Sequence, residues 1–313
     1  MIQKKTLFIL GAGASMPYGL PSGSDLRKTI CRLGDGSDVS GLLMEEMHIY
    51  QSKLDQFAET FRKSRQVSID TFLSKRNDLA ELGKQAIAAA LGLREQEAAL
   101  FNPEIDDDWY QTLWNALQDE ASSPEVIRHN KVRFVTFNYD RSLEAFLHES
   151  VKHSFGVTDE VAYQAWKPIP IKHVYGQLGE FHWQLSETTR PYGSTLDYYN
   201  LSLAARSLKV IPESRQDDVD FQEIRRWVEW CERVCFLGFS FDPLNMERLG
   251  IDSVLSYLVE HGLPLPSIVA STYGMTESER QRLQAKYFNY GGGLLALPHK
   301  NQMLLRETGV LLS

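Results

Sequence analysis

Four short strings place side chains and glycines where chemistry is possible. Gly11-Ala12-Gly13-Ala14-Ser15 directly follows the apolar run TLFIL, Thr6 to Leu10. Glycines at such a junction let the backbone turn sharply and let a phosphate approach its N–H groups, with a helix N-terminus favouring the negative charge. Thr136-Phe137-Asn138-Tyr139-Asp140 sets an amide and a carboxylate at the end of another apolar run. Lys172-His173-Val174-Tyr175-Gly176 supplies an imidazole and a phenol. Imidazole titrates near neutrality and can take a proton from water, whereas an ordinary phenol is a poor base and a fair hydrogen-bond donor. Residues two apart on a strand share a face, so His173 and Tyr175 are expected to reach one ligand, His173 as base and Tyr175 as orienting group. In Gly238-Phe239-Ser240-Phe241-Asp242-Pro243-Leu244-Asn245, Gly238 permits close backbone approach and Ser240 and Asn245 offer hydrogen bonds. Each string also has a plainer use: a ligand-free turn, an Asn turn, an Asp140 helix cap, a core histidine and tyrosine, or a helix start at Asp242-Pro243.

The elements that must position these strings follow from the pattern. Continuous apolar runs recur at Thr6–Leu10, Val132–Phe137, Ile171–Val174, Leu208–Ile211, Val234–Leu237, Ser267–Ala270 and Leu294–Leu297. Such runs suit strands buried on both faces of a parallel sheet. Helix-like patterns follow several of them, at Arg141–Ser150, Leu244–Glu260 and Thr276–Phe288. Repeated strand-then-helix units predict an α/β fold with a doubly wound, mostly parallel, Rossmann-like sheet. From Val39 to Glu120 the pattern is instead amphipathic and helical, at Leu42–Lys63, Ile69–Ala90 and Asp107–Glu120. This reads as an inserted helical domain over 39–125, hinged at the turn-rich Gly34–Ser40, inside an α/β domain of 1–38 and 126–313. Ser154–Ser207, rich in proline and aromatics, reads as loops and short elements covering one edge of the site.

Bulk properties narrow the function. A chain of 313 residues with a formal net charge of -8 argues against nucleic acid as a main partner. The clusters Arg62, Lys63, Arg65 and Arg225, Arg226 read as solvated helix faces. Three cysteines, Cys31, Cys231 and Cys235, build neither a disulfide framework nor a four-cysteine zinc site. A reducing, cytoplasmic location and no metal are expected. The first apolar run is too short for a signal-peptide core or a membrane span.

The string from Gly11 to Pro21, Gly-Ala-Gly-Ala-Ser-Met-Pro-Tyr-Gly-Leu-Pro, resembles the sirtuin pattern Gly-Ala-Gly-x-Ser-x-x-x-Gly-Ile-Pro, spacing included. The resemblance implies that Gly11, Ala12, Gly13 and Ser15 contact NAD and that Gly19 and Pro21 shape a cover over it. Thr136–Asp140 is similar to the sirtuin Gln-Asn-Ile-Asp element, in the Phe-Asn-Tyr-Asp form of sirtuin-like domains of bacterial anti-phage proteins. That implies Asn138 beside the nicotinamide ribose, positioning water, and Asp140 on the carboxamide. Lys172–Gly176 resembles the His-Gly element that supplies the sirtuin base, with Tyr175 where the histidine would stand. Gly238, Ser240 and Asn245 fall in a segment similar to the adenosine-contacting Gly-Thr-Ser-Leu, and Ala270–Tyr273 corresponds to the adenine end. Two departures stand out: Ser22-Gly23-Ser24 replaces Asp-Phe-Arg, and the four-cysteine zinc module is missing.

The resemblance implies an NAD glycohydrolase, with NAD as substrate and nicotinamide and ADP-ribose as products. It further implies an effector of anti-phage defence by abortive infection, controlled by homo-oligomer formation, by a HerA-type ATPase partner or by the helical insertion covering the site. The alternatives are a non-catalytic NAD or ADP-ribose sensor, which Tyr175 favours, and an NAD-dependent protein deacylase, which the departures disfavour. An NAD-dependent dehydrogenase lacks its third glycine, because Met16 stands there, and a serine hydrolase at Ser240 lacks the second glycine of a nucleophile elbow.

Overall fold

A computed structural model describes residues 1–184, 189–209, 219–289 and 293–312. Six strands form one sheet: β1 (Thr6–Leu10), β2 (Val132–Thr136), β3 (Ile171–His173), β4 (Arg233–Leu237), β5 (Ser267–Ser271) and β6 (Leu294–Leu297). Their order is β3-β2-β1-β4-β5-β6 and every pairing is parallel. β1 is central and wholly buried, which explains why TLFIL carries no polar alternation. The period-two pleat divides its side chains between faces: Leu7 and Ile9 join one hydrophobic cluster, Phe8 and Leu10 the other. The chain is an α/β protein with a Rossmann-like parallel sheet.

The helices connect the strands and cover both faces. Ser142–Phe155 and Asp159–Trp166 lie between β2 and β3, Pro243–Leu249 and Ile251–Glu260 between β4 and β5, and Glu277–Tyr287 between β5 and β6. The single helix expected at Leu244–Glu260 is broken at Gly250, whose φ of 60° is left-handed. The run expected at Leu208–Ile211 enters the sheet nowhere among the described residues. Leu208 makes an isolated antiparallel bridge with Gly176, and Val210 and Ile211 lie outside the described residues.

Between β1 and β2 every regular element is helical, among them Asp38–Glu45, Gln51–Ser64, Ile69–Leu73, Ala80–Gly92, Glu97–Leu100 and Trp109–Gln118. Phe57, Phe61, Phe72 and Ala86 pack in the same cluster as Leu7 and Ile9. Trp109, Tyr110, Leu113 and Leu117 pack with Phe8 and Leu10 on the opposite face. Both faces of β1 thus draw on helices of this segment. Ser154–Ser207 holds more structure than loops: besides β3 it forms the helices Asp159–Trp166 and Tyr198–Ser207. No described helix is long and apolar enough to cross a membrane.

Candidate functional site

In a sheet of this order the crevice lies beyond the carboxyl ends of β1 and β4, where the strand order reverses. The glycine turn after β1 sits there, and it is built on close backbone contact. The Gly11 N–H donates to Leu237 O (3.0 Å) and the Gly13 N–H to Gly238 O (3.0 Å). A Cβ on Gly11 would lie 2.6 Å from Gly238 O, one on Gly13 2.8 Å from Gly238 Cα, and one on Gly238 2.0 Å from Ala14 N. Gly238 also has a φ of 56°, a region unfavourable for residues with a side chain. Three carbonyls of the turn are bound by distant side chains. Asn138 Nδ2 donates to Gly11 O (2.9 Å), Asn301 Nδ2 to Gly13 O (3.1 Å) and Trp109 Nε1 to Ala14 O (2.7 Å). Ala12 begins the short helix Ala12–Ser15.

Beyond β2, Asn138 and Asp140 turn toward this loop. Asn138 Nδ2 donates to Ser15 Oγ (3.0 Å) as well as to Gly11 O, so both amide protons are used and Oδ1 is the group Asn138 can offer. Asp140 accepts from the Ser142 N–H (3.1 Å) and from the Ser142 hydroxyl, which itself meets Tyr110 OH (2.7 Å). Burial pushes the Asp140 carboxyl above the usual range, while the Ser142 and Ser15 hydroxyls and the charge of His173 pull it back. Ser15, Asn138 and Asp140 therefore form one buried polar cluster.

His173 enters this cluster from β3, but inward. Its Nδ1 meets Asn138 O (3.0 Å) and its Nε2 meets Glu144 Oε1 (2.6 Å), with both side chains almost fully enclosed. Burial opposes protonation of the ring, yet the Glu144 carboxylate and the Asn138 carbonyl outweigh it and raise the pKa. The Asn138 carbonyl and the Glu144 carboxyl thus occupy both ring nitrogens and favour the charged form of the ring. His173 as placed positions the Asn138 backbone and has no free nitrogen with which to take a proton.

Tyr175 parts from His173. β3 ends at His173, so the same-face rule does not extend to Tyr175. The Tyr175 hydroxyl donates to Asn245 Oδ1 (2.6 Å) and accepts from Arg248 Nη1 (2.9 Å). Its ring packs edge-on to Phe137. Burial raises the Tyr175 phenol well above its ordinary value. Tyr139 beside it donates to Asp70, a carboxylate supplied by the helix Ile69–Leu73. Asn245 is thus engaged with Tyr175, and Ser240 is exposed beyond β4. Pro21 is partly buried. The adjoining Ser22 caps the helix Gly23–Ile30 by accepting from the Asp25 N–H, a local reason for serine where sirtuins carry aspartate.

Sequence reasoning missed a cluster of buried charges. Glu95, Arg141 and Arg190 form a buried triad: Arg141 Nε and Nη2 donate to the two Glu95 carboxylate oxygens (2.9 and 2.8 Å), and Arg190 Nη2 donates to Glu95 Oε2. The second positive charge is met by carbonyls, with Arg141 Nη1 on Arg190 O (2.7 Å) and Arg190 Nε on Leu178 O (3.1 Å). Both arginines are 0% exposed. One signal was available: Arg141 stands at the N-terminus of a helix, where its charge has the wrong sign for the helix dipole, so another partner had to hold it. Glu95 and Arg190 carried no such sign.

Among the described residues one grouping, His148, Glu149 and Asp159, has spacing compatible with a metal ion. Its bonds are those of an ion pair. Trp166 Nε1 donates to His148 Nδ1 (3.3 Å), leaving the ring proton on Nε2 beside Asp159 (3.1 Å), and Lys152 Nζ lies 2.8 Å from the same carboxylate. The cluster holds its own cation. Neither a family model nor a curated protein matches this chain.

Proposed function

We propose that the chain binds NAD at the carboxyl ends of β1, β2 and β4 and hydrolyses its nicotinamide glycosidic bond, releasing nicotinamide and ADP-ribose. The observation that carries this reading is the pair of bonds from Asn138 Nδ2 to Ser15 Oγ and Gly11 O. They join the two strings most similar to sirtuin motifs at the reversal point of the sheet, where dinucleotides bind in folds of this order. Nicotinamide departs as a neutral group, so the protein mainly has to hold the ribose and deliver a water. Asn138 Oδ1 is free of the bonds that fix the amide and suits that water, while Asp140 suits the carboxamide. The oxocarbenium-like centre is electrophilic enough that water adds without a strong base, and its proton leaves to solvent. His173 and Glu144 hold Asn138 in place. By the same resemblance we propose NAD depletion in anti-phage defence as the biological role.

A second reading, binding of NAD or ADP-ribose without turnover, is favoured by the engagement of both His173 nitrogens. Incubating the full chain with NAD and following nicotinamide release separates the two. Release that falls about 100-fold in Asn138→Ala supports hydrolysis. Saturable NAD binding without release supports the sensor, and release unchanged in Asn138→Ala sinks the catalytic assignment.

A further inference from the structure

At the opposite end of the helix Ser142–Phe155 a cavity of about 630 Å³ opens against Glu97–Leu100 and Trp109–Gln118. Pockets of this size hold small organic ligands. The buried Trp114 gives it an apolar floor, Phe101 and Ala98 line its exposed side, and Glu97, Glu149 and His153 stand around it. Phe101 is 42% exposed, yet its ring is held in place by stacking on Phe146 at 5.5 Å. A fixed, half-exposed aromatic face beside carboxylates attracts a cation through its ring quadrupole as well as by charge. Glu149 meets His153 Nε2 at 3.3 Å within the cavity wall, while Lys152 lies closer to Asp159 (2.8 Å) than to Glu149 (3.8 Å), so a ligand ammonium at Glu149 competes with the His153 ring more than with Lys152. The cavity is removed from the strand-end cluster, since Ser150 lies eight residues beyond Ser142, roughly 12 Å along the helix.

We propose that this cavity binds a small organic cation with a flat apolar body, the ring against Phe101 and Trp114 and the ammonium at Glu97 and Glu149. The site is independent of the NAD reading. It is tested by calorimetric titration of the full chain with three probes that share a ring and differ in charge: tryptamine, indole-3-ethanol and indole-3-acetate. Tryptamine is expected to bind saturably below about 1 mM, the alcohol about fivefold more weakly, and the acid more weakly still. Glu149→Gln brings tryptamine down toward the alcohol while leaving the alcohol unchanged, which also shows that the fold is intact. Phe101→Leu weakens both. Equal binding of the three probes, tightest binding of the acid, no saturable binding below about 1 mM, or a tryptamine affinity unmoved in Glu149→Gln each overturns the proposal.

Discussion

Between the ends of β1 and β4 the chain meets itself backbone to backbone, whereas beyond β2 it is held by charges buried between side chains. The first joint consists of Gly11, Gly13 and Gly238, whose missing side chains let two turns touch. The second consists of Glu95, Arg141 and Arg190, which bind the helical segment between β1 and β2, the start of the helix after β2 and the segment beyond β3 into one unit. Both joints border the candidate site. They differ in what they tolerate: the first fails when an atom is added, the second when a charge is removed.

The largest effect is expected at the charged joint. Glu95→Gln keeps the shape but leaves two arginines buried without a counter-ion, and breaking a buried pair in this way costs about 3–5 kcal/mol. Urea denaturation of the variant measures it. Replacing the whole triad by apolar residues of similar volume should recover much of the loss, because the desolvation of three charges disappears with them. A Glu95→Gln loss below about 1 kcal/mol would mean that the carbonyls alone satisfy the arginines.

A smaller effect is expected at the glycine joint, and a matched control sharpens it. Gly238→Ala combines a left-handed residue with a Cβ 2.0 Å from Ala14 N, so strain and overpacking add to about 2–4 kcal/mol. Gly262 is also left-handed, at a φ of 64°, but a Cβ there meets nothing within 4 Å. Gly262→Ala should cost about 1 kcal/mol. Equal losses at the two positions would show that conformation, and not contact between β1 and β4, sets the requirement at Gly238.

This contrast also explains what was legible in the sequence. Glycines at strand ends are legible as places of close backbone approach, because Gly11, Gly13 and Gly238 each follow an apolar run suited to a buried strand, but that they approach one another was not. All six strands were readable for the same reason, as was Asn138 beside Ser15, since both lie within a few residues of those ends. The triad was not readable, because Glu95 and Arg190 look like any surface charge until the fold brings them within reach of Arg141. The expectation that His173 and Tyr175 share a face failed on one detail, that β3 stops between them. Strand period is visible in sequence; the residue at which a short edge strand ends depends on its neighbour in the sheet.

The effect that is smallest at neutral pH sets apart the two buried histidines of this half of the molecule, His173 beside the strand ends and His148 on the far part of the same helix that carries Glu144. Burial lowers His148 to about 4, against the opposing pull of Asp159 and with help from Lys152 and His182. His173 is raised despite burial, because Glu144, Asn138 O and Asp140 face it. The unfolded chain titrates both near 6.5. Below that value the unfolded state binds a proton that folded His148 refuses, so His148 makes stability fall by roughly 1.4 kcal/mol per pH unit between 6.5 and 4. His173 acts in the other direction: its stabilisation is complete below 6.5 and is lost as pH rises through the folded value. Stability measured against pH in His148→Gln should therefore lose part of its acid slope, and in His173→Gln part of its alkaline slope. If His173→Gln leaves the alkaline limb unchanged, the ring is neutral in the folded chain, one of its nitrogens is available after all, and His173 returns as the base beside Asn138.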